Sequence, residues 1–434
     1  MLTAFLRAFR TPDLRKKLLF TLAILGLFRL GSSVPSPDVN FPNVHSCLAQ
    51  AGSNSIYGLV NLFSGGALLQ LSIFALGIMP YITSSIIMQL LVVVIPRLER
   101  LKDQGQAGQQ KMTQYTRYLT IALAILQSTG IAALARGKPS QLFPSCQLSI
   151  LDNTSIFSTV VLVLTMTAGT AVIMWLGELI TDRGIGNGMS LLIFTQIAAR
   201  FPSQGSSILS ARGPAVFTVV LFIGVAIVAG IVFMEQAQRR IPVQYAKRMI
   251  GRKMYGGTST YLPIKVNQAG VIPVIFAASL LYIPSLLAKV WTSNKGFESF
   301  VATYLVQSNN PYYILIYFFL LIFFTYFYVA ITFNTQDISD NMKKYGGFIP
   351  GIRPGRPTAE YLDYVLSRIT LPGSIYLGVV AILPLIAIGY LGSGSAQSFP
   401  FGGTTVLILV GVGLDTAKQI ESQLMLRNYE GFLR

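Results

Sequence analysis

The sequence predicts an all-α polytopic membrane protein: about ten transmembrane helices in two inverted five-helix halves, with a re-entrant half-helix enclosed among them. Three observations carry this. Of 434 residues, 52% are hydrophobic and 11% charged, with a mean hydropathy of +0.59, whereas a soluble protein carries about 25% charged residues. Apolar segments able to cross roughly 30 Å of hydrocarbon, about 20 residues each, recur throughout the chain. The stretch YGLVNLFSGGALLQLSIFALGIMPYITSSIIMQLLVVVI, residues 57–95, is apolar yet too long and too interrupted for one helix. Gly65 and Gly66 relax the backbone, so a half-helix over 57–64 ends there and a longer span, carrying Pro80, covers 71–95. Half-length backbone at membrane depth is tolerated only where it is buried in protein or lines a water-filled cavity, so the chain should enclose one.

The elements follow in order. Residues 1–17 set Leu2, Phe5, Leu6 and Phe9 on one helical face beside Arg7, Arg10, Arg15, Lys16 and Lys17, a start suited to the cytoplasmic interface. The apolar run over 18–34 has no small-residue cleavage pattern after it, so it reads as the first span, ended by Pro35 and Pro37. A polar loop covers 35–55, and a second, inner one covers 96–114. Further spans are expected at 116–134, 157–180, 189–201, 215–234, 269–290, 312–333, 371–391 and 405–426. The short 189–201 segment starts inside the GIGNG turn before it or is buried among its neighbours. The last span turns polar at Asp415, Lys418, Gln419 and Glu421, where its end leaves the membrane.

Charge placement fixes the expected orientation. The 33 Lys and Arg oppose 16 Asp and Glu, a formal net charge of +17. With the N-terminus inside, inner segments hold 26 of the 33, while outer loops and flanks hold six: Arg136, Lys138, Arg200, Arg212, Lys289 and Lys295. Arg29 falls inside the first span. This is the positive-inside pattern, with both termini cytoplasmic. Ten spans then split into two sets of five with opposite orientation, although no internal sequence identity is visible.

Catalytic chemistry finds little support. The chain has one histidine, His45, in a polar loop, which excludes HExxH metal sites and histidine-based triads. There is no GxxxxGK[ST] loop for nucleotide phosphates. GIGNG, residues 184–188, joins two membrane helices instead of following a strand, so its glycines serve a tight turn. Cys47 and Cys146 fit no metal pattern. Both fall in outer loops, so a disulfide is open to them, but the expectation is two unpaired thiols. Few charges lie at mid-membrane; Glu178 and Asp415 sit toward inner ends. Thr83, Ser84, Ser85, Gln89, Asn267 and Gln268 are polar but suit ordinary interhelical hydrogen bonds. The inner segment 236–265 holds Arg239, Arg240, Lys247, Arg248, Arg252 and Lys253 interleaved with Tyr245, Tyr255 and Tyr261. That composition suits RNA phosphates or an acidic protein surface, or is topological charge alone.

FSGGAL, SIFALGIMPYI, SIIMQLL, GELITDRGIGNG, QRRIPVQYAKR, KVNQAGVIPVIFA, GFIPGIRPG and FGGT stand in this order along nearly the whole chain. Together they closely resemble the SecY family, pore subunits of the bacterial Sec protein translocon. The departures, in short outer loops and the tail, touch no motif. The resemblance implies a clamshell of an N-terminal half over 1–201 and a C-terminal half over 215–434, joined by an outer hinge loop at 202–214, with cytoplasmic loops at about 235–265 and 334–370. It makes Ile78, Ile82, Ile193, Ile275 and Ile408 an apolar pore ring, which would hinder ions by dewetting yet yield around a moving polypeptide. Asn61, Phe63, Ser64, Gly65 and Gly66 would belong to a plug, and Thr83, Gln89 and Asn267 to a lateral gate toward lipid. Arg239, Arg240, Lys247, Arg248, Arg252, Lys253, Arg353 and Arg356 would receive the ribosome, through RNA and protein at its tunnel exit, or the motor ATPase SecA. The implied function is a protein-conducting channel of the bacterial plasma membrane that moves unfolded preproteins outward and releases apolar segments into lipid. SecE, SecG, signal peptides, preproteins and membrane lipids are the other implied partners, and no cofactor is implied. A secondary transporter explains the spans equally but calls for a buried ionic site that the sequence does not display. A membrane-anchored scaffold accounts for the basic loops but leaves the half-helix unexplained.

Overall fold

A computed structural model describes residues 9, 11–50, 67–68, 70–102, 104–137, 148–153, 155–245, 248–250, 253–255, 259–290, 295–306, 310–390 and 403–430. The N-terminal half is built from α1 (Pro12–Ser33), α2 (Phe41–Gln50), α3 (Met79–Val94), α4 (Pro96–Lys102), α5 (Gln106–Gly137), α6 (Ile156–Arg183) and α7 (Gly188–Ala198). The long α8 (Phe201–Gln236) leads into strands β1 (Gln238–Tyr245), β2 (Arg248–Ile250), β3 (Lys253–Tyr255) and β4 (Ser259–Lys265). The C-terminal half continues with α9 (Ile272–Val290), α10 (Lys295–Val301), α11 (Pro311–Thr332), α12 (Thr335–Lys344), β5 (Gly347–Phe348), α13 (Arg356–Tyr390) and α14 (Gly403–Glu430).

Among the described residues, five helices are long and apolar enough to cross a membrane, and α3 with α4 form a sixth candidate bent by 106°. Two shorter apolar helices lie at Gly188–Ala198 and Ile272–Leu281. With α1 and α14 these fit the ten expected passes. Apolar side chains such as Phe222, Phe233 and Leu126 face outward on long helices, as they would toward lipid.

Several boundaries depart from expectation for local reasons. The third helix starts at Met79, not at 71; Pro80 occupies its first turn, where a missing N–H costs nothing. The residues before it form turns fastened to the end of α1, with Ser36 N–H donating to Leu71 O at 3.0 Å and Ile73 N–H to Val34 O at 3.0 Å. The polar loop at 35–55 contains α2, and the loop at 96–114 is mostly helical, split between α4 and the start of α5. The segment 202–214 is no loop either. It is helical up to Gly213, whose φ of 80° and ψ of 171° break α8 just before Pro214. Helix α7 does start at the GIGNG turn, where Asn187 Oδ1 accepts from Met189 N–H and Ser190 N–H at 3.1 and 3.3 Å. Cys47 is buried and disulfide-bonded, which corrects the expectation of an unpaired thiol; Cys146 lies outside the described residues.

The two basic segments are not connectors but one small sheet. β1 pairs with β4 in antiparallel register from Gln238↔Lys265 to Gln244↔Ser259. β5 adds to the other edge of β1 through Gln244↔Phe348 and Tyr245↔Gly347. Ile241, Val243 and Ile264 are buried beneath it, and Ile241 and Ile264 pack with Ile349, Leu362 and Leu366. The ends of α3, α6, α8 and α14 and the starts of α5, α7, α9 and α13 share this side of the molecule.

Within the halves, α5 packs against both α3 and α6, and α13 against both α11 and α14. Between the halves, α7 packs on α14, while α3 and α9 touch only along a thin seam.

Candidate functional site

The halves enclose a cavity of about 500 Å³. One wall is a face of α3: Tyr81, Ile82, Ser85, Ile86 and Gln89 recur at helical spacing. The facing wall is the first turn of α9, with Ile272, Ile275 and Phe276, backed by Tyr328 of α11. These apolar walls belong to opposite halves and meet at the thin seam. The third wall is polar: Arg117 of α5, Glu178, Thr181 and Asp182 of α6, and Asn187 and Ser190 at the start of α7.

The isoleucines converge at the cavity. Ile78, Ile193 and Ile408 are 1%, 4% and 1% exposed, and they form one contiguous apolar cluster with Met79, Ile197 and Ala278, against which Ile82 and Ile275 pack. Five residues spread over 330 positions of sequence thus share one apolar cluster, supplied by α3 and its N-cap, α7, α9 and α14. Ile82, Ile193 and Ile275 show one side of that cluster to the cavity. Branched aliphatic side chains of this kind offer no hydrogen-bond partner to water or ions.

The polar candidates divide. Gln89 lines the cavity. Thr83 is buried, but its hydroxyl donates to Met79 O of its own helix at 2.5 Å, and Asn267 lies at the entry to α9 without lining the cavity. Its Nδ2 donates to Glu235 Oε1 at 2.5 Å and to Gly270 O at 3.2 Å. Ser84, one residue past Thr83, ties α3 to α5 by donating to Thr116 O at 2.7 Å. Of the three residues assigned together by resemblance, only Gln89 lines the cavity.

Arg239 and Arg240 are exposed on β1, with the Arg240 guanidinium 4.8 Å from the centre of the Tyr261 ring on β4. Arg353 is exposed beside β5, and Arg356 starts α13 in an exposed pair with Glu360 at 3.1 Å. Because β5 joins β1, the arginines of both segments lie on one body. Arg248 and Lys253 occupy the β2–β3 hairpin. Lys247, Arg252 and the proposed plug residues Asn61, Phe63, Ser64, Gly65 and Gly66 lie outside the described residues.

Sequence reasoning missed two ionic features. Arg117 grips Glu178 through two bonds, Nε to Oε1 at 2.8 Å and Nη2 to Oε2 at 2.7 Å. Glu235, 8% exposed in the last turn of α8, is a buried carboxylate that the sequence did not display as such. It sits at a helix end beneath the sheet rather than at mid-span. The signal available was modest: Glu235 ends a long apolar run, and Asn267 opens the next.

The SecY family model matches residues 72–417. The chain is 64% identical to "Protein translocase subunit SecY" of Mycobacterium bovis and likewise 64% identical to that of Streptomyces galbus, covering all of this chain and of each relative. The fold is similar to that of the solved "structure of a protein conducting channel", with a TM-score of 0.63 over 94% of this chain and 91% of that one, at 18% identity. It is similar also to "Sec61 in the Canine ribosome-channel complex from the endoplasmic reticulum", with a TM-score of 0.60, 18% identity and the same two coverages. On a family model that spans most of the chain and relatives that match it end to end, the chain belongs to the SecY family.

Proposed function

We propose that this chain is the protein-conducting channel of a general secretory translocase, which passes unfolded preproteins across the membrane and releases apolar segments sideways into lipid. The observation that carries the reading is a cavity between two helical halves, lined by Ile82, Ile193 and Ile275 of an apolar cluster that also takes in Ile78 and Ile408. A cavity with one polar and two apolar walls suits a substrate that is a polypeptide with mixed side chains. The thin seam between α3 and α9 is the natural place for the halves to part, with Gln89 on its cavity face. Thr83 and Asn267 flank that seam in sequence, and the segment 57–66 is the proposed plug. The break at Gly213 in α8 serves as the hinge between halves 1–201 and 215–434.

The chain does not supply the driving energy; SecA or a translating ribosome supplies it, docking on the sheet that carries Arg239 and Arg240 and on Arg353 beside it. SecE and SecG complete the assembly, which sits in the bacterial plasma membrane with both termini cytoplasmic. The role is that of a channel, not an enzyme.

The reading is tested by placing a photo-reactive residue at Ile82 or Ile275 and stalling a secretory precursor during SecA-driven transport into vesicles. Crosslinks at both positions that require SecA and ATP are expected. Transport without a crosslink at either position would overturn the ring; no transport with all partners present would overturn the channel.

A further inference from the structure

Gln196 stands three residues beyond Ile193 and one before Ile197 on α7, so all three share one face of the helix. It is 2% exposed, and neither its Oε1 nor its Nε2 has a hydrogen-bond partner. A buried primary amide with both ends unpaired is costly, and methionine would fill the same space without that cost. Its place in the fold supplies a reason for it. Helix α7 runs away from the sheet side, so Gln196 lies about 4.5 Å further along the axis than Ile193. Ile193 lines the cavity and Gln196 does not; the amide lies between Ile193 and Ile197 of the apolar cluster, past the cavity-lining residue. The facing helix repeats the arrangement. Ser279 stands four residues beyond Ile275 on α9, which runs the same way, and is likewise 2% exposed with no partner for its Oγ.

We propose that Gln196 is a binding residue for the backbone of the polypeptide in transit, assisted by Ser279 across the passage. An extended chain that parts the isoleucines has shed water from its peptide groups and carries an N–H and a C=O at every residue except proline. A primary amide accepts from the first and donates to the second. A contact to the backbone is tolerant of sequence, which a channel for many substrates needs. It also gives the unpaired amide its partner only when the passage is occupied, so that the closed state carries the cost and occupancy relieves it. This inference rests on the channel reading above.

The test uses the channel reconstituted with its partner subunits and SecA. Photo-reactive residues at Ile193 and at Gln196 are expected both to trap a stalled precursor. Gln196→Met and Gln196→Leu are expected to slow transport by roughly three- to tenfold, the worth of one or two hydrogen bonds, while leaving thermal stability equal or higher. Gln196→Asn, which keeps the amide but draws it back, falls between. The slowing should shrink for a precursor whose transit segment is rich in proline and so lacks N–H donors. Crosslinking at Ile193 without any at Gln196, or wild-type transport by Q196M, overturns the inference and leaves the channel reading standing. An effect of Q196M that is the same for the proline-rich precursor overturns it as well. Absence of crosslinks at Ile193, Gln196, Ile82 and Ile275 alike, with transport intact, overturns the inference together with the isoleucine ring.

Discussion

Arg117 and Glu178 clasp one another across α5 and α6 with two parallel bonds, 2.8 and 2.7 Å long, at the polar rim of the cavity. The fork of the guanidinium matches the carboxylate, which fixes the relative rotation of the two helices as well as their spacing. Their side chains are 47% and 20% exposed, so solvent screens the pair, and its worth belongs with surface pairs rather than buried ones. A double-mutant cycle of Arg117→Ala and Glu178→Ala, read by thermal unfolding, is expected to give a coupling of about 1 kcal/mol. That coupling should fall in 1 M salt, where the screening length is about 3 Å. A coupling indifferent to salt would mean that packing, not charge, holds the helices here.

Close backbone approach is the second device that sets the N-terminal half. A Cβ on Gly188 would lie 1.9 Å from Gly177 O, and one on Gly169 would lie 2.0 Å from Ile73 O. Both obstacles are backbone and cannot swing aside. Gly26 and Gly130, also in helices, have nothing within 4 Å of that position. Alanine should therefore have opposite signs. Gly169→Ala and Gly188→Ala are expected to lower the melting temperature by several degrees, since α6 must move off the turn at Ile73 in the first case and α7 off α6 in the second. Gly26→Ala and Gly130→Ala are expected to leave it unchanged or raise it, by up to about 1 kcal/mol of helix propensity. Equal behaviour of all four would show that the helices are not in such close contact.

The contrast between these glycines marks what sequence could and could not disclose. Membrane class, the passes and the start of α7 at Asn187 follow from apolar runs and cap chemistry, which are local. That the five isoleucines share a cluster was reachable only through motif resemblance, since they stand far apart in sequence. The start of the third helix at Met79 was not, because the run from 73 to 79 is as apolar as the helix that follows it and only the turn contacts with α1 distinguish 70–78. The β1–β4 ribbon was hidden because the strand buries only Ile241 and Val243 among exposed charged and polar residues, leaving too little alternation to read. Arg117 with Glu178, and Glu235 with Asn267, are partners 61 and 32 residues apart; no local pattern announces them. Gln196 reads as one polar residue in an apolar helix until its lack of partners is seen.

On the sheet, Arg240 is exposed and stacked 4.8 Å from the Tyr261 ring, while Arg356 is already engaged with Glu360 at 3.1 Å. If the surface meets RNA phosphates, each free arginine lost should reduce the dependence of log affinity on log salt by about 0.7–0.9. Ribosome co-sedimentation over a salt series is expected to show this decrement for Arg239→Ala, Arg240→Ala and Arg353→Ala, and a smaller one for Arg356→Ala. Weaker binding with an unchanged slope would point to contact with ribosomal protein instead.

Beneath the same sheet, Asn267 and Glu235 tie the entry of α9 to the last turn of α8. Nδ2 of Asn267 donates to the Glu235 carboxylate at 2.5 Å and to Gly270 O at 3.2 Å, whereas its Oδ1 has no partner. The geometry gives the bond a direction: position 267 donates and position 235 accepts. Glu235→Gln keeps an acceptor and is expected to be mild. Glu235→Ala removes it, leaving a buried donor short of one partner, at a cost of about 1–3 kcal/mol. Asn267→Asp sets two carboxylates against each other in a buried site and should be the most destabilising of the three. Combining Asn267→Asp with Glu235→Gln reverses donor and acceptor and should recover most of the loss. Thermal unfolding of the four variants decides the matter, and failure of the double variant to exceed Asn267→Asp would show that the pair is not bonded as described.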